Sequence, residues 1–193
     1  DAAQTSVGHL TSFIGTDAVL ATDYAEQYYY AQDDTVGVSV PATEHSVMCM
    51  GSEEREIDTF RRLICELYPA GVVSIVSDTW DFWRVITEFS QSLKTEILAR
   101  TPNALGLAKV VFRPDSGDPV KILCGDPDAE IDSPAYKGAV QCLWDIFGGT
   151  YTEKGYKVLN ERVGLIYGDS ITLDRAARIL QGLEAKGFAA NNV

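Results

Sequence analysis

The run Arg113-Pro114-Asp115-Ser116-Gly117-Asp118 carries the residue types best suited to chemistry in this chain. It follows directly on the apolar run Ala108–Phe112, and an arginine there is costly to bury unless it meets a carboxylate, a phosphate or a stacked ring. Pro114 stiffens the loop and aims Asp115 into the same space. The pair reads either as a ligand grip or as a structural Arg–Asp pair. His45 follows Glu44, and a histidine beside an acid is either an ordinary surface or core residue or a nucleophile or proton shuttle tuned by carboxylates. Asp17, after Gly15-Thr16, suits a helix N-cap as well as a ligand contact. Ser77, Asp78 and Asp81 likewise either cap the next helix or face a ligand. In Gly168-Asp169-Ser170 the glycine allows close approach of backbone to a ligand, though a plain strand–helix turn has the same composition. The aromatics Tyr28-Tyr29-Tyr30 and Trp80, Phe82 and Trp83 suit packing or an oligomer contact more than a ligand platform. A P-loop, a GxGxxG fingerprint, a serine nucleophile elbow and an HExxH motif are all absent from the sequence.

What must position these groups is a repeated strand-then-polar pattern. Leu10–Ile14 leads into Gly15-Thr16-Asp17, Val36–Val40 into Pro41-Ala42-Thr43-Glu44-His45-Ser46, and Gly71–Val76 into Ser77-Asp78-Thr79-Trp80-Asp81. Ala108–Phe112 leads into the Arg113 run, and Val163–Tyr167 into Gly168-Asp169-Ser170. Run length and β-branching predict buried strands. Helices are predicted between them: Asp17–Tyr29 with Asp17 as cap, Ser52–Leu67 with a core face of Ile57, Phe60, Ile64 and Leu67, and the pair Trp80–Phe89 and Ser92–Ala99. Two more follow, Tyr136–Phe147 and then Thr172–Lys186 with Gly187 as C-cap. Lys121–Pro134, rich in Asp, Pro and Gly, reads as a loop. Strand–helix alternation implies βαβ units on a parallel sheet, whose ligands bind at the carboxyl ends of the strands. Functional-looking residues after every strand favour a (β/α) barrel over an open doubly wound sheet. Five strands do not close an eight-stranded barrel, so an incomplete one is expected.

At 193 residues and 46% hydrophobic composition, one packed domain over residues 1–193 is expected. A net charge of −12 without a basic run excludes a general nucleic-acid binder and an anionic-membrane binder. A few placed arginines still allow an anionic small substrate. Cys49, Cys65, Cys124 and Cys142 show no CxxC spacing, and neither His9 nor His45 sits at zinc-ligand spacing from them. Reduced thiols in a cytoplasmic protein are the expectation. The start at Asp1 and the stop at Asn191-Asn192-Val193 suggest a piece of a longer chain, truncated at both ends.

Taken together, the Gly15, Pro41, Ser77, Arg113 and Gly168 runs resemble, in order and approximate spacing, the nicotinamide phosphoribosyltransferase family, in its bacterial and phage branch. The resemblance spans nearly the whole chain and implies the central portion of a type II phosphoribosyltransferase α/β barrel. It implies a pentosyltransferase of NAD biosynthesis. Nicotinamide and 5-phosphoribosyl 1-diphosphate would give nicotinamide mononucleotide and diphosphate, with Mg²⁺, and with ATP as optional co-substrate. A homodimer with a shared active site is implied as well. Carried over by motif, Asp17 would bond the carboxamide of the base, Arg113 would lie against base and phosphoribosyl group, and Asp115 would orient nicotinamide or ribose. Ser77, Asp81, Gly168 and Asp169 would line the ribose and diphosphate side, and His45 would be transiently phosphorylated. The family's aromatic–arginine sandwich before this portion and its glycine-rich phosphate segment after it have no match here. The 193-residue chain alone is therefore expected to be inactive. The alternatives are a nicotinate-specific enzyme of the same fold and a non-catalytic binding or assembly module.

Overall fold

The structure, a computed structural model, describes residues 2–13, 15–29 and 36–193. The chain packs as two compact units, Asp1–Val40 and Pro41–Val193.

In the first unit, α1 (Ala2–Val7) runs into a 3₁₀ turn (Gly8–Thr11), and α2 (Val19–Tyr28) follows. Val7, Ala21 and Ala25 are its buried apolar residues, with Leu10, Ala18, Tyr24 and Val36 packed on them. The strand expected at Leu10–Ile14 is not formed over the described part: Thr11 Oγ1 donates to Gly8 O at 2.8 Å, and Phe13 is exposed. Local side-chain bonds of this kind compete with a sheet ladder. Ile14 itself lies outside the described residues. The Val36–Val40 strand reduces to one parallel bridge, Gly15 to Val38. Nor does Asp17 cap α2, which begins two residues later. The Ala18 N–H goes to Thr16 Oγ1 at 3.1 Å, and Asp17 Oδ1 instead accepts from Ser39 Oγ at 2.5 Å. Tyr24 and Tyr28 stack at 4.3 Å, Tyr28 and Tyr29 are exposed, and Tyr30 lies outside the described residues.

The second unit is built on three parallel strands in the order β1 (Val72–Val76), β2 (Lys109–Arg113), β5 (Val163–Leu165). The register aligns Val76 with Arg113 and Phe112 with Leu165, so the three carboxyl ends share one rim. Val73, Ile75, Val110, Phe112 and Val163 are buried, as the near-continuous β-branched runs of a covered parallel sheet require. These three strands match the expected ones within a residue or two. Beside β1, a bridge from Ala42 to Ser74 aligns the segment leading to α3 (His45–Cys49), and Thr43 Oγ1 accepts the Val76 N–H at 3.0 Å.

Covering the sheet, α4 (Glu56–Arg62) ends in a π-helical turn, Leu63–Leu67. That extra residue per turn rotates the apolar face, so Leu63 is buried and Leu67, expected in the core, is 48% exposed. After β1 come α5 (Phe82–Arg84), a second π-helical turn (Val85–Phe89), α6 (Ser90–Ser92) and α7 (Lys94–Leu98). The expected loop at Lys121–Pro134 is partly helical, because Asp118 caps α8 (Pro119–Cys124) with Pro119 in its first turn. Then follow α9 (Pro134–Lys137), α10 (Ala139–Phe147) and a hairpin absent from the sequence reading, β3 (Gly149–Tyr151) with β4 (Lys157–Leu159). Lys157 Nζ sits 4.8 Å from the Phe188 ring and 5.6 Å from Trp144, pinning the hairpin to the core. Finally α11 (Leu173–Ala185) starts at the Thr172 cap, and Gly187 takes φ +73° after it, as expected. Among the described residues no helix is long and apolar enough to cross a membrane.

Candidate active site

The carboxyl ends of β1 and β2 bring four polar side chains into mutual reach. Arg113, the last residue of β2, is 15% exposed and places Nη2 at 3.2 Å from Glu44 Oε2. Its Nε lies 3.5 Å from Asp115 Oδ2, an ion pair without the alignment of a hydrogen bond. His45 opens α3, with Glu44 as its extended N-cap. The ring bonds Thr79 Oγ1 through Nδ1 at 3.2 Å, and its Nε2 faces Asp78 Oδ1 and Asp115 Oδ2, each at 3.8 Å. Which ring nitrogen carries the proton follows from which of these partners it serves.

Asp78 ties the cluster together. Its side chain is 5% exposed, and Oδ2 accepts the backbone N–H groups of Asp115 (2.8 Å) and Ser116 (2.7 Å). The other oxygen, Oδ1, is buried without a hydrogen bond and faces the imidazole. A buried carboxylate oxygen in that state favours a cation or proton donor opposite it. The arrangement holds the imidazole between the Thr79 hydroxyl on one side and the Asp78 and Asp115 carboxylates on the other.

The other expected site residues divide. Asp169 is exposed at the end of the β5 segment, and its carboxylate accepts only from Ser170 Oγ at 3.1 Å among the described residues. Gly168 is exposed, and a Cβ there would meet open space, so its backbone is accessible from that side. Tyr167, just before, is buried and shares the rim with Asp115. Burial first, then the charges of Asp169, Asp78, Asp115 and Asp118, push its phenol above the usual range. Ser77, by contrast, is fully buried, and its hydroxyl donates to Ile75 O at 2.7 Å, so its proton is committed to its own strand. Asp81 takes the capping role: Oδ1 accepts the Arg84 N–H at 3.1 Å. Asp17 belongs to the first unit, where Ser39 is its partner.

A sequence profile of the nicotinate phosphoribosyltransferase (NAPRTase) family matches residues 2–193. The chain belongs to that family. Three curated relatives of this NAPRTase-family chain are named nicotinamide phosphoribosyltransferase. The one from Acinetobacter baylyi is 81% identical over 193 residues, covering 100% of this chain and 38% of the relative. The Xanthomonas campestris relative is 36% identical over 197 residues and the Mycoplasma pneumoniae relative 35% over 185, each covered over 37% of its own length. The chain thus spans under two fifths of the length of these relatives.

Within this NAPRTase-family chain, Thr79 is the partner of His45 that the sequence does not single out, and Asp78 is the one of the three candidates after β1 that turns toward the histidine. Asp78 carries a signal in sequence, as one of two carboxylates after β1, but spacing does not say which turns inward. The cap on α5 goes to Asp81, and Asp78 is left free to reach across to β2. Glu56, at the start of α4, is a further buried acid: burial pushes its carboxyl up to about 7, partly offset by Arg84, and Oε1 has no hydrogen bond.

Proposed function

We propose that the full-length protein carrying this chain is a nicotinamide phosphoribosyltransferase, and that residues 1–193 form the central portion of its α/β barrel. The observation that carries the reading is the convergence of His45, Asp78, Arg113 and Asp115 at the carboxyl ends of β1 and β2. The names of the relatives support nicotinamide as the base.

In the reaction, the ring nitrogen of nicotinamide attacks the anomeric carbon of 5-phosphoribosyl 1-diphosphate. The N–C bond forms as the C–O bond to diphosphate breaks, and diphosphate leaves with the electron pair. Positive charge develops on the ribosyl ring, and carboxylates near it stabilise that state. In this reading Asp115 and Asp169 are the carboxylates that do so. Mg²⁺ bound with the diphosphate substrate would offset the charge of the leaving group. Such an ion takes most of its ligands from substrate oxygens and water, with one or two carboxylates, and the open Asp169 carboxylate fits that need. Arg113, held between Glu44 and Asp115, has its planar face set by two acids and packs against base and phosphoribosyl group. Asp81 and Gly168 line the ribose and diphosphate side. Asp17 accepts a carboxamide N–H, which the acid form of the base lacks.

ATP enters at His45. The unprotonated ring nitrogen forms an N–P bond with the γ-phosphoryl group as the bond to ADP breaks, while Thr79 or the carboxylate pair holds the opposite N–H. The working enzyme is a cytoplasmic homodimer in this reading.

Turnover of the full-length protein with nicotinamide and with nicotinate tests the assignment. Nicotinamide is expected to give the higher kcat/KM, and replacing Asp17 with Ser should narrow that preference by about tenfold or more, the cost of an unpaired polar contact. A wild-type preference for nicotinate would overturn the reading.

A further inference from the structure

Tyr167 lies outside every role assigned above, yet it makes a cross-rim contact that the Arg113–Asp118 loop depends on. It follows β5, while the loop follows β2, and the two strands are neighbours. The phenol Oη donates to the Gly117 carbonyl at 3.0 Å across 50 residues of sequence, from a residue only 8% exposed. The loop is anchored on its other side by the Asp78 carboxylate, which takes the Asp115 and Ser116 amides. Gly117 itself has φ +87°, in the left-handed region that glycine tolerates, and it directly precedes Asp118, the cap of α8. Three fixed points therefore define the path of the chain through Asp115: the Asp78 clasp, the Tyr167 bond and the α8 cap. Burial above all, and then the charges of Asp169, Asp78, Asp115 and Asp118, disfavour ionisation of the phenol, so it stays a donor.

We propose that Tyr167 is a positioning residue for the active-site loop, holding the Gly117 carbonyl so that Asp115 stays set against His45 and Arg113. The phenol acts through the loop and touches no reacting atom. This rests on the reading that the loop grips the phosphoribosyl substrate.

Tyr167→Phe keeps the ring and removes the donor. In the full-length protein, the Asp115–Asp118 amides should exchange with deuterium about three- to tenfold faster, as expected for one lost hydrogen bond, while β1 and β2 exchange as in wild type. Nicotinamide mononucleotide synthesis should show a KM for 5-phosphoribosyl 1-diphosphate raised by a similar factor together with a lower kcat. A loss of folded protein alone would leave KM unchanged. Gly117→Ala attacks the same bond from the acceptor side. Its Cβ would meet only Ile122, at 3.4 and 3.5 Å, so its effect comes through the strained φ. This variant should loosen the same amides, and the double variant should be no worse than the worse single one. If Tyr167→Phe folds poorly, Gly117→Ala decides alone by the same exchange measurement. Wild-type exchange in the loop, or additive effects in the double variant, would overturn the proposal. Failure of the wild-type protein to make nicotinamide mononucleotide would sink the functional reading instead, and the exchange arm would still decide the role of Tyr167.

Discussion

Removing Asp78 should release the loop that carries Asp115, and the size of the effect follows from two contacts. Oδ2 accepts the Asp115 amide at 2.8 Å and the Ser116 amide at 2.7 Å from a side chain that is 5% exposed. Hydrogen bonds to a charged acceptor contribute about 1.5–3 kcal/mol each. The Ser116 amide is close to solvent and regains part of its share from water, so the net loss in Asp78→Ala is about 2–4 kcal/mol. At about 1.4 kcal/mol per factor of ten, the two amides should exchange about 30- to 700-fold faster, which peptide-resolved deuterium exchange on the full-length protein reads directly. Asp78→Asn keeps an oxygen for both amides and removes only the charge, so its loss should stay near tenfold. Both variants remove the carboxylate facing His45, and both should reduce stimulation by ATP. Only the alanine variant should free the loop as well. Wild-type protection of Asp115 and Ser116 in Asp78→Ala would refute the claim that this carboxylate holds the loop.

Glu56 predicts a pH dependence of stability. Its folded carboxyl is raised to about 7 from 4.5, so its contribution is full below pH 4.5 and is lost as pH rises through 7. Glu56→Gln should therefore flatten the stability profile between pH 5 and 8 and gain up to about 3 kcal/mol over wild type at pH 8, measured by denaturant titration. An unchanged slope would remove Glu56 as the cause. Burial pushes the Cys124 and Cys142 thiols up to about 11, while Cys49 and Cys65 are exposed. Iodoacetamide at pH 7.5 should thus label Cys49 first, Cys65 more slowly because partial burial and then Glu96 push its thiol up, and last the buried pair, whose thiolate fraction is roughly one in three thousand. Early labelling at Cys124, read by peptide mass mapping, would contradict this burial.

The three parallel strands were legible because their residues satisfy two demands at once. Val72–Val76 and Lys109–Arg113 are β-branched enough to form strands and apolar enough to be covered, β1 along nearly its whole length and β2 on the face of Val110 and Phe112. The first two expected strands do not meet both tests. Leu10–Ile14 contains Thr11 and Ser12, whose short polar side chains offer the backbone local partners, and Val36–Val40 alternates with Gly37 and Ser39. The hairpin at Gly149–Tyr151 and Lys157–Leu159 is not legible in the sequence for a different reason. Its strands are three residues each and their register rests on contacts made far away in sequence, among them Lys157 with Phe188. The π-helical turn at Leu63–Leu67 was equally hidden, since a helical wheel assumes the ordinary period throughout.

The site was legible in its residue types and not in its orientations. Two carboxylates follow β1 within five residues, and either could have capped the next helix; a spacing rule assigns the cap but cannot aim the acid left over. The fold resolves this through the β1–β2 register. Because Val76 pairs with Arg113, and Ser77 N–H still reaches Arg113 O at 3.0 Å, the chain leaves β1 directly beside the residues that follow β2. Asp78 then meets the amides of Asp115 and Ser116, while Asp81, three residues on, has already turned into α5. The same register brings Asp115 back toward His45, whose own position is fixed by the bridge from Ala42 to Ser74 on the far side of β1. A parallel pairing chosen to bury Ile75 and Phe112 thereby decides which of several acids faces the histidine. A one-residue slip of β2 would turn its buried face outward and dissolve the cluster in the same step, so in this chain the packing of the core and the geometry of the rim stand or fall together.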